Sequence, residues 1–216
     1  MLYEDRFTYS GDTLRYMITT PTGYTKTEQL PLLVFLHGAG ERGDDLNLVR
    51  RYGPAKVFGK DPDFHGVRAV TLSPQCPDED IWSNHTFTVY QLILATMEKY
   101  NIDPDRVSIT GLSMGGFGTW EMTCRYPELF AAAGPVCGGG MSWRADALKN
   151  IPVRAYHGDQ DKTVPVEYSL MMVAAVNAAG GHAELIIYPG VNHNAWDPAY
   201  EQSDLVEWLV AQRRKH

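Results

Sequence analysis

One stretch constrains the fold more than any other: Arg106-Val-Ser-Ile-Thr-Gly-Leu-Ser113-Met-Gly-Gly-Phe-Gly-Thr-Trp120. Residues 107–110 are a short β-branched run. The segment after Ser113 reads as a helix to about Tyr126, where Pro127 interrupts it. Between strand and helix stands G-x-S-x-G, which suits a sharp turn carrying an exposed serine. Gly111 and Gly115 remove side chains that would collide where the backbone folds so tightly, and Gly116 lets the helix approach the sheet. The expectation is a Ser113 hydroxyl held at the carboxyl edge of a sheet, with the free N–H groups of a helix N-terminus behind it.

At 216 residues, one domain over 1–216 is expected, with enough mass for a substantial core. Apolar content of 44% and charged content of 21% describe an ordinary soluble globular chain. The net charge of −7 argues against nucleic acid or an anionic membrane as the main partner. The first residues lack an apolar signal core and no run is long enough to span a bilayer. The sequence therefore reads as cytoplasmic, as would a chain cut back from a secreted precursor. Cys76, Cys124 and Cys137 make an odd count without metal-like spacing, and read as buried or partly buried free thiols.

Residues 6–9 and 14–20 read as the strands of a hairpin around Ser10-Gly-Asp12. Pro31-Leu-Leu-Val-Phe-Leu36 is a continuous apolar run, as a strand buried on both faces requires. It ends in His37-Gly-Ala-Gly-Glu-Arg-Gly-Asp44. Residues 44–66 read as mixed and loop-rich. Residues 68–73 read as a strand, followed by Pro74-Gln-Cys-Pro77 and an irregular stretch to Asn84. Over 86–100, Val89, Leu92, Ile93 and Met97 recur at helical spacing as a core-facing stripe. Beyond the elbow, 131–136 and 152–156 read as strands, the second ending in His157-Gly-Asp-Gln-Asp161. Residues 165–179 read as a helix closed by Gly180-Gly181, 184–188 as the last strand and 203–213 as a closing amphipathic helix. Strands alternating with helices predict an α/β chain with a mostly parallel sheet and helices on both faces. Ligands bind such sheets beyond the carboxyl ends of the strands. His37, Ser113, Asp161 and His193 each follow a strand.

A serine hydroxyl becomes a useful nucleophile only with a base in hydrogen-bond reach, and the base needs a group that fixes its tautomer. Of the seven histidines, His216 is terminal, and His65, His85 and His182 lie in polar loop or turn settings. His37 belongs to the glycine-rich turn and His157 closes a strand, so both read as structural. His193, on the loop after the last strand, is the candidate base. Asp159 and Asp161 compete as the acid, since both follow the strand that ends at Tyr156. A developing alkoxide also requires two N–H donors. One is Met114, directly after the serine. The other comes from the turn after 31–36, with Ala39 first and Gly38 or Gly40 as alternatives. A histidine base predicts one acid limb in kcat/KM at roughly pH 6 to 7.5, and a maximum at about pH 4 contradicts it.

Serine, acid and histidine in that chain order is the α/β-hydrolase order. The chain resembles a compact serine esterase of that superfamily. It is similar to the carboxylesterase, feruloyl-esterase and dienelactone-hydrolase branches, and to chains described as prolyl-oligopeptidase-like peptidases. Five pieces carry the resemblance: Leu36-His-Gly-Ala-Gly-Glu-Arg-Gly-Asp44, Ser73-Pro-Gln-Cys-Pro77, Gly111-Leu-Ser-Met-Gly-Gly116, His157-Gly-Asp-Gln-Asp-Lys-Thr-Val-Pro165 and Val191-Asn-His-Asn-Ala-Trp196. The resemblance implies an α/β-hydrolase fold, Ser113 as nucleophile, Asp161 as acid and His193 as base. It implies no metal or organic cofactor. Dienelactone hydrolases carry cysteine where this chain has Ser113, and prolyl oligopeptidases carry a propeller that nothing here encodes. There is no long insertion between 136 and 152, where many lipases place a lid, so an open site without a large cap is expected.

Trp82, Trp143 and Trp196 read as loop residues around the carboxyl edge. Trp82 and Trp196 are the candidate substrate contacts, since an aromatic face suits a flat acyl group or a sugar ring. Arg42 reads as paired with a nearby aspartate. The expected activity is hydrolysis of a small-molecule carboxylic ester, short-chain acyl or aryl/cinnamoyl, through an acyl-enzyme on Ser113. A small peptidase or amidase, and a catalytically silent binding protein, are the alternatives.

Overall fold

The apolar run at 31–36 becomes a central strand of an eight-stranded sheet. The computed structural model describes residues 1–214, so His216 lies outside the described residues. In chain order the strands are β1 (Leu2–Tyr9), β2 (Asp12–Thr19), β3 (Leu30–Leu36), β4 (Val70–Gln75), β5 (Ile102–Leu112), β6 (Ala132–Val136), β7 (Val153–Gly158) and β8 (Ala183–Tyr188). In space the order is β1-β2-β4-β3-β5-β6-β7-β8. β2 pairs antiparallel with both β1 and β4, and every other pairing is parallel.

The helices are α1 (Leu46–Val49), α2 (Gly53–Lys60), α3 (Trp82–Lys99), α4 (Met114–Arg125), α5 (Glu167–Ala178), α6 (Trp196–Glu201) and α7 (Leu205–Ala211). They cover both faces. Leu32, Val34 and Leu36 join Leu92 and Ile93 of α3, Trp120 of α4 and Met172 of α5 in one core. Leu33 and Phe35 join Phe58 of α2, Tyr200 of α6 and Leu209 of α7 in the other. Period-two alternation along β3 thus feeds two separate cores, which is why its seven residues are all buried and read as an unbroken apolar run.

Several expectations are corrected. Residues 44–66 are not simply loop: they hold α1 and α2 and a 3₁₀ turn at Phe64–Gly66. Asp45 caps α1 by accepting the Asn47 N–H at 3.0 Å, and Pro54 suits the first turn of α2. The stretch to Asn84 is not irregular throughout, because α3 starts at Trp82. There Asp80 accepts hydrogen bonds from the Ile81 N–H and the Asn84 amide. The elbow strand is longer than 107–110, running back to Ile102 through Pro104. The closing helix read over 203–213 is the shorter α7, and a separate short helix, α6, precedes it in the loop after β8.

The chain passes from β5 to α4 through Ser113 alone, at φ 53° and ψ −117°. A non-glycine residue held there costs on the order of 1–3 kcal/mol, which the two cores must offset. A Cβ on Gly115 would run into the Leu36 and His37 carbonyls of the neighbouring strand end, so only glycine allows α4 to start this close to the sheet.

Candidate active site

The turn at Ser113 leaves its hydroxyl half-exposed at the carboxyl edge. Its Oγ lies 2.8 Å from His193 Nε2. His193 comes from the loop after β8, and its Nδ1 lies 2.7 Å from Asp161 Oδ2, from the loop after β7. The carboxylate can only accept, so Nδ1 carries the proton and Nε2 is left to accept from the serine. Asp161 is itself fixed: its Oδ1 accepts the Thr163 and Val164 backbone N–H groups, both at 2.9 Å. Burial alone would raise its pKa, but the hydrogen bonds from His193, Val164 and Thr163 outweigh burial and lower it. Asp159 accepts the Gly190 N–H at 2.7 Å, tying the loop after β7 to the loop after β8, away from the His193 ring.

A further histidine touches this group. His157 is wholly buried, and its Nε2 faces two acceptors, the Val164 carbonyl at 2.8 Å and Asp161 Oδ2 at 3.3 Å. Nε2 therefore carries a proton, while Nδ1 meets the Ser169 hydroxyl at 2.8 Å. The sequence places His157 near the acid loop but gives no sign that it shares the carboxylate oxygen used by His193.

The turn after β3 approaches Ser113 from the other side. Met114 opens α4 and Ala39 opens a 3₁₀ turn, Ala39–Glu41, so neither N–H has an acceptor within its own helical turn. The Gly38 N–H is already engaged by Glu41 Oε2 at 3.0 Å, which removes it from the alternatives. The turn is held by side chains throughout. His37 Nδ1 donates to the Gly38 carbonyl at 2.6 Å, and its Nε2 accepts the Cys76 N–H at 2.9 Å. Burial lowers the His37 pKa to about 4, so the ring is neutral at ordinary pH. Gln75 donates to the Glu41 and Asp45 carbonyls. Arg42 does not pair with an aspartate carboxylate; it donates to the Ala39 and Asp80 backbone carbonyls, at 2.8 and 3.2 Å.

The aromatics divide. Trp82 is not a loop residue but the first residue of α3. It is buried, stands edge-on to His37, and donates its indole N–H to the His37 carbonyl at 2.9 Å. Part of it lines a pocket beside Ser113. Trp196 opens α6 and stands edge-on to His193, with ring centres 5.2 Å apart, and also packs against Tyr52. Trp143 is 78% exposed in a 3₁₀ segment, Ser142–Leu148. His85, expected in a polar turn, lies buried in α3 between Asp12 Oδ2 at 2.8 Å and Asp80 Oδ2 at 3.0 Å. It joins the β1–β2 hairpin to the loop that leads into Trp82.

The pocket of about 370 Å³ next to Ser113 is walled by Ile81, Trp82, Ser83, Met114, Phe117 and Gly118. Another, of about 390 Å³, lies at the amino end of β7 and β8 around Lys149, His182 and Trp208, remote from Ser113. Cys137, Asp161 and His193 bring donor atoms within 4.8 Å of one another. Burial pushes the Cys137 thiol up, which disfavours the thiolate a cation needs, and the imidazole and carboxylate already engage each other, so this trio suits a cation poorly. Among the described residues no helix is long and apolar enough to cross a membrane.

A family profile described as phospholipase/carboxylesterase matches residues 66–203. A solved structure of a thermostable esterase is 35% identical and overlays 99% of this chain and 63% of that chain, with a TM-score of 0.90. A feruloyl esterase module from Clostridium thermocellum, complexed with sinapinate, overlays 100% of this chain and 90% of that one. Its TM-score is 0.79 at 15% identity, a likeness of fold alone. An uncharacterized secreted protein of Arthroderma benhamiae is 27% identical over 84% of this chain and 23% of its own length. The chain spans less than half the length of the first curated relatives it matches. The sheet order, the elbow after β5 and these likenesses identify the α/β-hydrolase fold.

Proposed function

The chain belongs to the phospholipase/carboxylesterase family, and from that premise we propose that it is a serine esterase that cleaves carboxylic esters through an acyl-enzyme on Ser113. The observation that carries this reading is the relay of 2.8 Å from Ser113 Oγ to His193 Nε2 and 2.7 Å from His193 Nδ1 to Asp161 Oδ2. In the first half of the reaction, His193 Nε2 takes the serine proton as Oγ attacks the ester carbon. The Met114 and Ala39 N–H groups receive the charge on the carbonyl oxygen. The imidazolium, stabilised by Asp161, then returns its proton to the leaving alcohol. Water repeats the sequence on the acyl-enzyme, and the acid is released.

The substrates proposed are small carboxylic esters with alkyl or aryl acyl groups, reached without a lid. The likeness to a thermostable esterase favours esters over amides. The deciding experiment compares the wild type with Ser113→Ala on p-nitrophenyl acetate and on the matching anilide, with fluorophosphonate labelling alongside. Wild type should turn over the ester, ignore the anilide and take up the label. Ser113→Ala should lose on the order of 10⁴ to 10⁶ in turnover and stay unlabelled. A Ser113→Ala protein that keeps a tenth of the activity rules the nucleophile out.

A further inference from the structure

We propose that the acyl-binding site is a groove of two chambers divided by Phe117, built for esters of medium-chain or arylalkanoyl acids. This rests on the serine-esterase reading above. It starts from where the leaving alcohol must go. That oxygen takes its proton from His193 Nε2, so it lies on the side of the serine bordered by His193, Trp196 and Tyr52. The carbonyl oxygen faces the Met114 and Ala39 N–H groups. Neither His193, Trp196 nor Tyr52 lines the pocket beside Ser113, so the acyl chain has that pocket to itself.

A second chamber adjoins this first one across a shared wall. Ser83 and Phe117 also line a second pocket of about 280 Å³, whose remaining walls include Trp120, Cys124, Gly140 and Met141. Phe117 is half-buried and stands edge-on to Tyr168 at 5.8 Å, which holds the ring between the chambers. The apolar lining continues outward to Ile81, 48% exposed at the mouth of the first chamber. The second chamber offers an acyl chain mainly hydrocarbon and sulfur surface, with Glu121 the one carboxylate at its wall. An acetyl group occupies only the first chamber. A longer chain passes Phe117 and gains from the second, where each buried methylene is worth up to roughly fourfold in kcat/KM.

The test measures kcat/KM for p-nitrophenyl acetate, butyrate and octanoate on the wild type, Phe117→Ala and Met141→Trp, with thermal unfolding as a check on each. The readout is the octanoate-to-acetate ratio, which cancels any common effect on the serine. We expect the wild-type ratio to exceed one. Met141→Trp, which places an indole over the second chamber, should lower it at least tenfold, and Phe117→Ala should raise it severalfold. Ratios within twofold of wild type in both folded variants overturn the two-chamber groove while leaving the esterase reading intact. Failure of the wild type on every ester, acetate included, strikes the esterase reading itself. Should Met141→Trp not fold, Phe117→Ala decides alone: an unchanged or lower ratio refutes the partition.

Discussion

The turn after β3 and the loop after β8 both border the turn that carries Ser113, and they are held in opposite ways. The turn is over-determined. Glu41, His37, Gln75, Arg42 and Trp82 each bond to its backbone or its flanks, and His37 and Glu41 are buried. The His193 loop is looser. His193 keeps 21% of its side chain exposed, and its ring is held by Asp161 at Nδ1 and by Ser113, the group it acts on, at Nε2, with Trp196 against it. The difference follows from the work proposed for each side. N–H donors that stabilise a transient charge act best when they need not reorganise. An imidazole that accepts a proton from one oxygen and gives it to another needs room to adjust by a fraction of an ångström.

The comparison is broken most severely at the acid. Asp161→Asn keeps the shape of the anchor but cannot stabilise an imidazolium and favours the wrong tautomer, so kcat should fall by about 10⁴. Asp159→Asn should cost less than about tenfold, because that carboxylate only ties two loops together. Steady-state kinetics on one ester measure both, and the reverse ranking moves the acid to Asp159.

The rigid side is exposed by acid. In the folded chain His37 titrates at about 4, against an ordinary 6.5. Above the ordinary value the ring is neutral in both folded and unfolded chains, and its contribution to stability is complete. As pH falls from 6.5 towards 4, only the unfolded chain takes up the proton, so stability is lost, by about 3 kcal/mol in total. Urea unfolding should therefore show the stability gap between wild type and His37→Asn shrinking by about 3 kcal/mol between about pH 7 and about pH 4. A gap that stays constant would mean that His37 is not held neutral by burial.

The smallest effect sharpens the flexible side. His157→Leu removes the second N–H from Asp161 Oδ2, leaving that oxygen to His193, while Oδ1 keeps the Thr163 and Val164 N–H groups. We expect kcat to drop by about tenfold and the acid limb of kcat/KM to move upward, because the carboxylate then favours the imidazolium more strongly. His157→Gln, whose amide can reach the same place, should restore the limb. A purely structural His157 would alter thermal stability and leave the limb where it was.

The parts of the molecule legible in the sequence were those governed by short-range rules. The elbow needs its glycines within four residues of Ser113, and the buried run of β3 announces a strand with a core on each face. The order of strands and helices was readable for the same reason. Ser113, Asp161 and His193 meet because each follows a parallel strand on the same sheet edge, and that topology is implied by the alternation alone. What escaped depends on partners far away in the chain. Asp12 is seventy-three residues from His85, and their hydrogen bond is what makes that histidine a buried strut and not a turn residue. Trp82 reads as a loop aromatic at the carboxyl edge because its partner, the His37 carbonyl, lies forty-five residues upstream. The helices α1 and α2 are four and eight residues long, too short to show a clear period, and are held against the sheet by Leu46, Val49 and Phe58.

The three cysteines carry a practical consequence. All are free thiols in buried positions, and burial pushes Cys76 up to about 12 and Cys124 up to about 11, with Cys137 higher still. A thiol reacts as its thiolate, so in the folded chain these sulfurs are nearly silent towards alkylating agents and oxidants at neutral pH. In the unfolded chain they regain ordinary reactivity. The rate at which a thiol reagent consumes Cys76 and Cys137, both fully buried, therefore counts the openings of the molecule, and the chain carries its own unlabelled gauge of local and global unfolding.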